Sequence, residues 1–273
     1  MQKKFLPLIL TLLAVTLWAT TAPASTIFFT ADIPSFSVSV DGFAMGDAGN
    51  AAYIAGDAYN PPESWYDDHS GTNAASISHS GSPWLTYMKA ENSFTPGSPS
   101  GGSGSMYVEL QGTGPQPSSP GNFDGYISQW GGNSITIPFN VTKTGQSLVT
   151  YSGSYDLFYG LSNNSSGNPF YEAYFSAWID LYIDGNWFKT QQLIYDGSYN
   201  YPLPLGDFTN NPTGTTSFGG NKTFTTTGTH NLEIYFEADQ WGSTMSPIPL
   251  PGTLLLLGSG LLGLAGLGYR RIK

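Results

Sequence analysis

Alternation of apolar and polar residues with a period of two is the dominant pattern in this chain. From Ala173 to Ile183 one face carries Phe175, Ala177, Ile179, Leu181 and Ile183. The other carries Tyr174, Ser176, Trp178, Asp180 and Tyr182. Successive side chains of a strand point to opposite faces, so this run predicts a half-buried strand. Asp184-Gly185-Asn186 follows, then a second β-rich run from Trp187 to Tyr195. Asp-Gly accepts the positive φ of a tight turn, which makes the pair a predicted β-hairpin. Asn231 to Asp239 alternates in the same way, with Leu232, Ile234, Phe236 and Ala238 inward and Glu233, Tyr235, Glu237 and Asp239 outward.

Weaker strands are predicted at Phe36–Val40, Met106–Leu110, Ser134–Val141, Ser147–Tyr151 and Tyr155–Gly160. No soluble helix of three turns is predicted, because Gly, Pro and β-branched residues interrupt every run with helical apolar spacing. Many short strands joined by Gly/Asn turns predict an all-β body, an antiparallel β-sandwich of jelly-roll-like kind. The body spans 25–246. Residues 25–121 read as loop-rich, with one or two strands before residue 92 and flexible tracts at 93–105 and 112–121. Residues 122–246 read as the core strands.

The two ends break the pattern. Residues 1–24 hold Lys3 and Lys4, an apolar run from Phe5 to Trp18, and Ala22-Pro23-Ala24. That order predicts a signal peptide, cut by signal peptidase after Ala24. Residues 252–269 contain no charge and no proline. As a helix they would span about 27 Å, enough for one transmembrane helix. Arg270, Arg271 and Lys273 follow, and the positive-inside rule holds them in the cytoplasm, so the body faces outward.

Composition sharpens this. The 273 residues carry nine Lys and Arg against 19 Asp and Glu, and no Cys. Five of the bases lie in the two ends, so the body keeps only Lys89, Lys143, Lys189 and Lys222 against all 19 acids, a net charge of −15. Nucleic acid is excluded as a partner, since a polyanion needs a basic footprint. The absence of Cys removes disulfides, thiolate metal sites and cysteine nucleophiles.

The tail combines Pro249-Leu250-Pro251, a Leu/Gly-rich stretch from Gly252 to Gly268, and Arg270-Arg271. It resembles the PEP-CTERM sorting signal, with Leu250 where that family usually has Glu. The resemblance covers residues 248–273 and implies export, transient anchoring in the inner membrane and processing by an exosortase-type protease. The implied destination is the cell surface or an exopolysaccharide matrix. It implies an address and no activity.

Motifs of catalysis are scarce. The closest approach to Gly-x-Ser-x-Gly is Gly97-Ser98-Pro99-Ser100-Gly101, with Pro where the nucleophile belongs. His69, His79 and His230 lack metal-site spacing and read as surface or turn residues. Phosphate-binding loops are absent. Glu233 and Glu237 would lie about 13 Å apart on one strand, and with Asp239 they read as a solvated outer face. The acidic loops Asp41–Asn60 and Asp67-Asp68 offer oxygen ligands for Ca²⁺ without matching an EF-hand, so the metal is unassigned. Aromatic rings offer stacking faces to sugars, and Trp178 with Tyr174 and Tyr182 forms the candidate stripe. That stripe reads either as an exposed sugar-binding surface or as the second core face of a strand buried on both sides. The chain therefore reads as a non-catalytic structural or adhesive protein that contacts polysaccharide. The alternative is a secreted carbohydrate-active hydrolase using two carboxylates.

Overall fold

The structure, a computed structural model, describes residues 24–60, 63–72, 74, 76–80, 83–97, 101–115, 125–163, 168–201 and 203–245. The first six strands are β1 (Thr26–Val40), β2 (Gly49–Asn60), β3 (Glu63–Thr72), β4 (Ser76–Ser80), β5 (Tyr87–Pro96) and β6 (Gly102–Thr113). Then come β7 (Gly125–Val141), β8 (Gly145–Ser162), β9 (Phe170–Ile183) and β10 (Asn186–Tyr199). The last three are β11 (Phe208–Asn210), β12 (Thr213–Phe224) and β13 (Gly228–Thr244). They form two antiparallel sheets. The first has the order β11-β8-β1-β6-β5-β4, with β12 also paired to β8, and the second has the order β10-β9-β13-β7-β2-β3.

β11 and β12 run along the same side of β8, one against Tyr159–Leu161 and the other against Gly145–Asp156. Pro212 separates them. It has no N–H to give the ladder, and its carbonyl accepts from the Leu157 N–H at 3.0 Å.

The period-two pattern dictates the core. All nine residues assigned inward on β9 and β13, from Phe175 to Ile183 and from Leu232 to Ala238, are at most 1% exposed. Facing them from the first sheet are Ile27, Phe29, Ala31 and Ile33 of β1 and Met106, Val108 and Leu110 of β6. Phe29 meets Phe175 across the sandwich edge to face at 5.9 Å. Burying one such side chain stabilises the fold by about 1.5–3 kcal/mol.

Four polar side chains lie in this apolar layer. On β7, Gln129 donates to the Gln111 carbonyl at 3.0 Å, and Asn133 donates to the Tyr107 carbonyl at 3.0 Å. Gln240 of β13 donates to Gln129, and Asn92 of β5 donates to the Ala51 carbonyl at 2.9 Å. The bonds from Gln129, Asn133 and Asn92 tie one sheet to the other, and that from Gln240 joins neighbouring strands of the second sheet. A buried amide costs free energy unless it is paired, so the three inter-sheet ties hold the two sheets in one relative position.

The all-β expectation holds, but the front half is far richer in strands than its sequence indicated. Residues 25–121 hold β1 to β6, and β1 lies inside its sheet between β8 and β6. The tract at 93–105, expected to be flexible, carries the end of β5 and the start of β6, paired from Tyr87↔Gln111 to Pro96↔Gly102. Most of the acidic segment Asp41–Asn60, expected as loop, is β2, paired on one side with β3 and on the other with β7. Ser147–Tyr151 and Tyr155–Gly160 are parts of one long strand, β8. Among the described residues no helix is long and apolar enough to cross a membrane. The predicted spanning helix 252–269, Ala22, Pro249, Leu250, Pro251, Gly252, Arg270 and Arg271 lie outside the described residues. Ala24 is described, exposed and two residues ahead of β1.

Candidate functional site

The outward residues of the second sheet build one continuous face, because each strand adds every second side chain and antiparallel register aligns them in rows. One row runs Tyr174–Trp241–Ser128–Asp57 across β9, β13, β7 and β2. The next runs Ser176–Asp239–Trp130, and the one after it Trp178–Glu237–Gly132–Tyr53. Further along lie Asp180–Tyr235 and Tyr182–Glu233.

The three stripe residues all lie on this face, directed away from the core. Tyr174 is 36% exposed, and Trp178 and Tyr182 are half-buried. Of the two readings of the stripe, the buried second core face is therefore set aside. The three do not form one platform, because each pairs across to β13. Tyr174 packs on Trp241 with ring centroids 5.4 Å apart, and Tyr182 meets Tyr235 at 5.2 Å. Trp178 hydrogen-bonds the Glu237 carboxylate.

Glu237 is bonded from the other side as well, by the Tyr53 hydroxyl. Gly132 stands between them in register and leaves the path open. A Cβ there would lie 2.7 Å from the Tyr53 Oη and 2.5 Å from the Phe236 carbonyl oxygen. Burial pushes the Glu237 carboxyl above its usual range, against the pull of these two donors. Burial also raises Asp239, and the neighbouring Glu237 charge adds to it, taking its pKa up to about 7. The expectation of a solvated acidic face is thus corrected for Glu237 and Asp239. Both are hemmed in by aromatic rings that exclude water from the charged form.

Asp239 opens into a hollow of about 200 Å³ lined by Trp130, Trp241, Tyr174, Ser128, Ser176 and Gln240. At its far end the face continues through Tyr126, which stacks on Tyr59 at 5.7 Å and donates to Asp57 at 3.4 Å. A larger, shallower trough on the outside of the first sheet is lined mainly by hydroxyls. In it Ser35 meets Ser154 at 3.1 Å and Ser37 meets Ser152 at 2.9 Å.

The histidines take structural places. His69 stacks on His79 at 4.1 Å, linking the outermost strands β3 and β4 of the two sheets. His230 is largely covered by Phe139 and Phe224 and lies 2.7 Å from Asp184. Among the described residues no group of three or more His, Asp or Glu converges to hold a metal ion.

Sequence reasoning missed Trp130, Trp241 and Tyr53 as members of the face. Trp241 lies just past the predicted end of its strand. Trp130 precedes Gly131-Gly132, a pair that masks the strand signal, and Tyr53 sits in a segment read as loop.

Residues 247–271 match the PEP-CTERM protein-sorting motif, which agrees with the resemblance carried by Pro249-Leu250-Pro251 and Arg270-Arg271. This motif is a sorting signal of exported proteins that are held at the membrane, processed by an exosortase and passed to the cell surface. No curated protein and no solved structure matches the chain.

Proposed function

We propose that the exported body is a non-catalytic adhesive module that binds polysaccharide through the outer face of its second sheet. The observation that carries this reading is the alternation, on one unpaired sheet face, of Trp and Tyr rings with carboxylates. Rings supply contact area for the apolar faces of sugars, and carboxylates accept hydrogen bonds from their hydroxyls. In this reading signal peptidase removes 1–24, residues 252–269 anchor the precursor in the inner membrane with the body outside, and cleavage near Pro249-Leu250-Pro251 releases it to the surface or matrix.

Affinity electrophoresis of the full-length protein through gels containing polysaccharide tests this. Trp178→Ala should weaken retention by about 1–3 kcal/mol, by analogy with stacking of bases on aromatic side chains. The thermal midpoint of the variant separates a lost contact from a lost fold. Retention unchanged by Trp178→Ala, Tyr174→Ala and Tyr182→Ala would remove this face from consideration.

A hydrolase reading draws on the raised Asp239 carboxyl, the condition a general acid requires. Geometry favours the binder. Glu237 and Asp239 project in parallel from one strand, about 7 Å apart along it, whereas glycoside hydrolysis needs two carboxyls flanking the scissile bond. New reducing ends that vanish in Glu237→Gln or Asp239→Asn would move the protein to the enzyme class.

A further inference from the structure

We propose that the hollow around Asp239 is a subsite for the protonated amine of an amino sugar, with Trp130, Trp241 and Tyr174 as an aromatic cage closing on a carboxylate. The inference rests on the polysaccharide-binding reading and adds the charge of the ligand.

Register builds the cage. Tyr174, Trp241 and Ser128 form one row, and Ser176, Asp239 and Trp130 form the next. Three rings, two serines and Asp239 therefore share a two-by-three grid. The serines leave the gap, the rings wall it, and Asp239 lines it. Its volume of about 200 Å³ equals six or seven waters at about 30 Å³ each, which is room for one sugar ring.

The chemistry of the lining selects a cation. Aromatic faces carry negative quadrupole density and attract ammonium groups within about 6 Å. A bound ammonium would favour the ionised form of Asp239, whose charge then acts in a place where water screens it poorly. Among the described residues Asp239 has no cationic partner. Its cross-strand neighbours are Ser176 and Trp130, and the charge acting on it is another acid, Glu237. Burial and the Glu237 charge hold Asp239 toward its protonated form, and an ammonium group seated in the hollow would offset both. Other ligands fit less well. A uronic acid would meet a body of net charge −15 without one arginine. A divalent cation needs six or more oxygen ligands, and no three acids converge here among the described residues. An N-acetylated sugar would stack on the rings but leave Asp239 uncompensated.

The test is calorimetric titration of the full-length protein in detergent at neutral pH with glucosamine oligomers, their N-acetylated counterparts and choline. The free-amine oligomer should bind about tenfold more tightly than the acetylated one, the factor expected from about 1.4 kcal/mol of added charge recognition. That preference should shrink with salt and disappear in Asp239→Asn. Ser176→Leu, which fills the hollow without touching the charge, should remove it too. Equal affinity for both oligomers would overturn this inference and leave the polysaccharide reading standing. Choline binding with no response to either oligomer would overturn the sugar assignment. Failure of both oligomers to bind the native protein would overturn the polysaccharide reading and this inference with it.

Discussion

Glu237 and Asp239 stand two residues apart on one strand and face the same way, yet they are held differently. Glu237 has two donors, Tyr53 and Trp178, that favour its ionised form. Asp239 has burial and the Glu237 charge, and both favour its protonated form. In the folded chain Asp239 keeps its proton up to about pH 7, against an ordinary value of 3.8. Between those values the folded state binds more protons than the unfolded state, so stability falls as pH rises. Glu237 is shifted in the same direction. The thermal midpoint is therefore expected to be higher at pH 5 than at pH 8. Asp239→Asn should flatten that slope and stabilise the protein at pH 8 by about 2 kcal/mol. Unfolding followed by circular dichroism at both pH values reads this directly. A slope of equal steepness in the variant would mean that Asp239 is solvated.

At the scale of the element, the β9–β10 hairpin shows local sequence and tertiary contact acting together. Asp184 has φ 53° and Gly185 φ 72°, two left-handed residues in succession, as a type I′ turn requires. Asp184 is also tied to β13, accepting from the Asn231 N–H at 2.9 Å and lying 2.7 Å from His230 Nδ1. Burial opposes its ionisation, but these partners win and hold its carboxyl below the usual range. Asp184→Ala removes both contacts and places a poorer residue at positive φ. It should cost about 1–3 kcal/mol in urea unfolding, while Asp184→Asn, which keeps the turn preference, should recover part of the loss.

Such strands were legible because their inward residues are large. β9 and β13 alternate Ile, Leu and Phe with polar side chains over long runs. β2 follows the same rule with Ala52, Ile54, Gly56 and Ala58 inward, and residues that small hide the alternation. β12 hides it differently, as an exposed outer strand of Gly, Thr and Ser with few buried positions. The site was legible in part. Period two placed Tyr174, Trp178 and Tyr182 on one face, but their partners Trp241, Tyr235 and Glu237 depend on which strand lies alongside. Desolvation of Asp239 depends on Trp130, more than 100 residues away in sequence, and no local pattern carries that.

For the whole molecule, the imbalance of charge and the tail act together. A body of net charge −15 is repelled by anionic lipid, and in the function proposed above the apolar tail is its membrane attachment. Uncut full-length protein should fractionate with membranes, resist high salt and yield to detergent. After cutting near Pro249-Leu250-Pro251 the body should move to the soluble fraction. Release of uncut protein by salt alone would show that the tail does not anchor it.

The placing of β13 also sets a clock. The last of the described strands lies in the interior of its sheet, between β7 and β9, and β1 lies between β6 and β8. Neither sheet can be completed from the front. The first strand must wait for residues beyond 145, and β7 and β9 stay apart until β13 arrives between them. Pairings so distant in sequence are slow, because the intervening chain must first be closed into a loop. A chain exported from its N-terminus therefore remains open until Thr244 has emerged. From there to Pro249 is five residues, a reach of at most about 18 Å. Completion of the sandwich and arrival of the sorting tripeptide thus fall almost together, and a chain that fails to seat β13 presents its address with an unfinished body behind it.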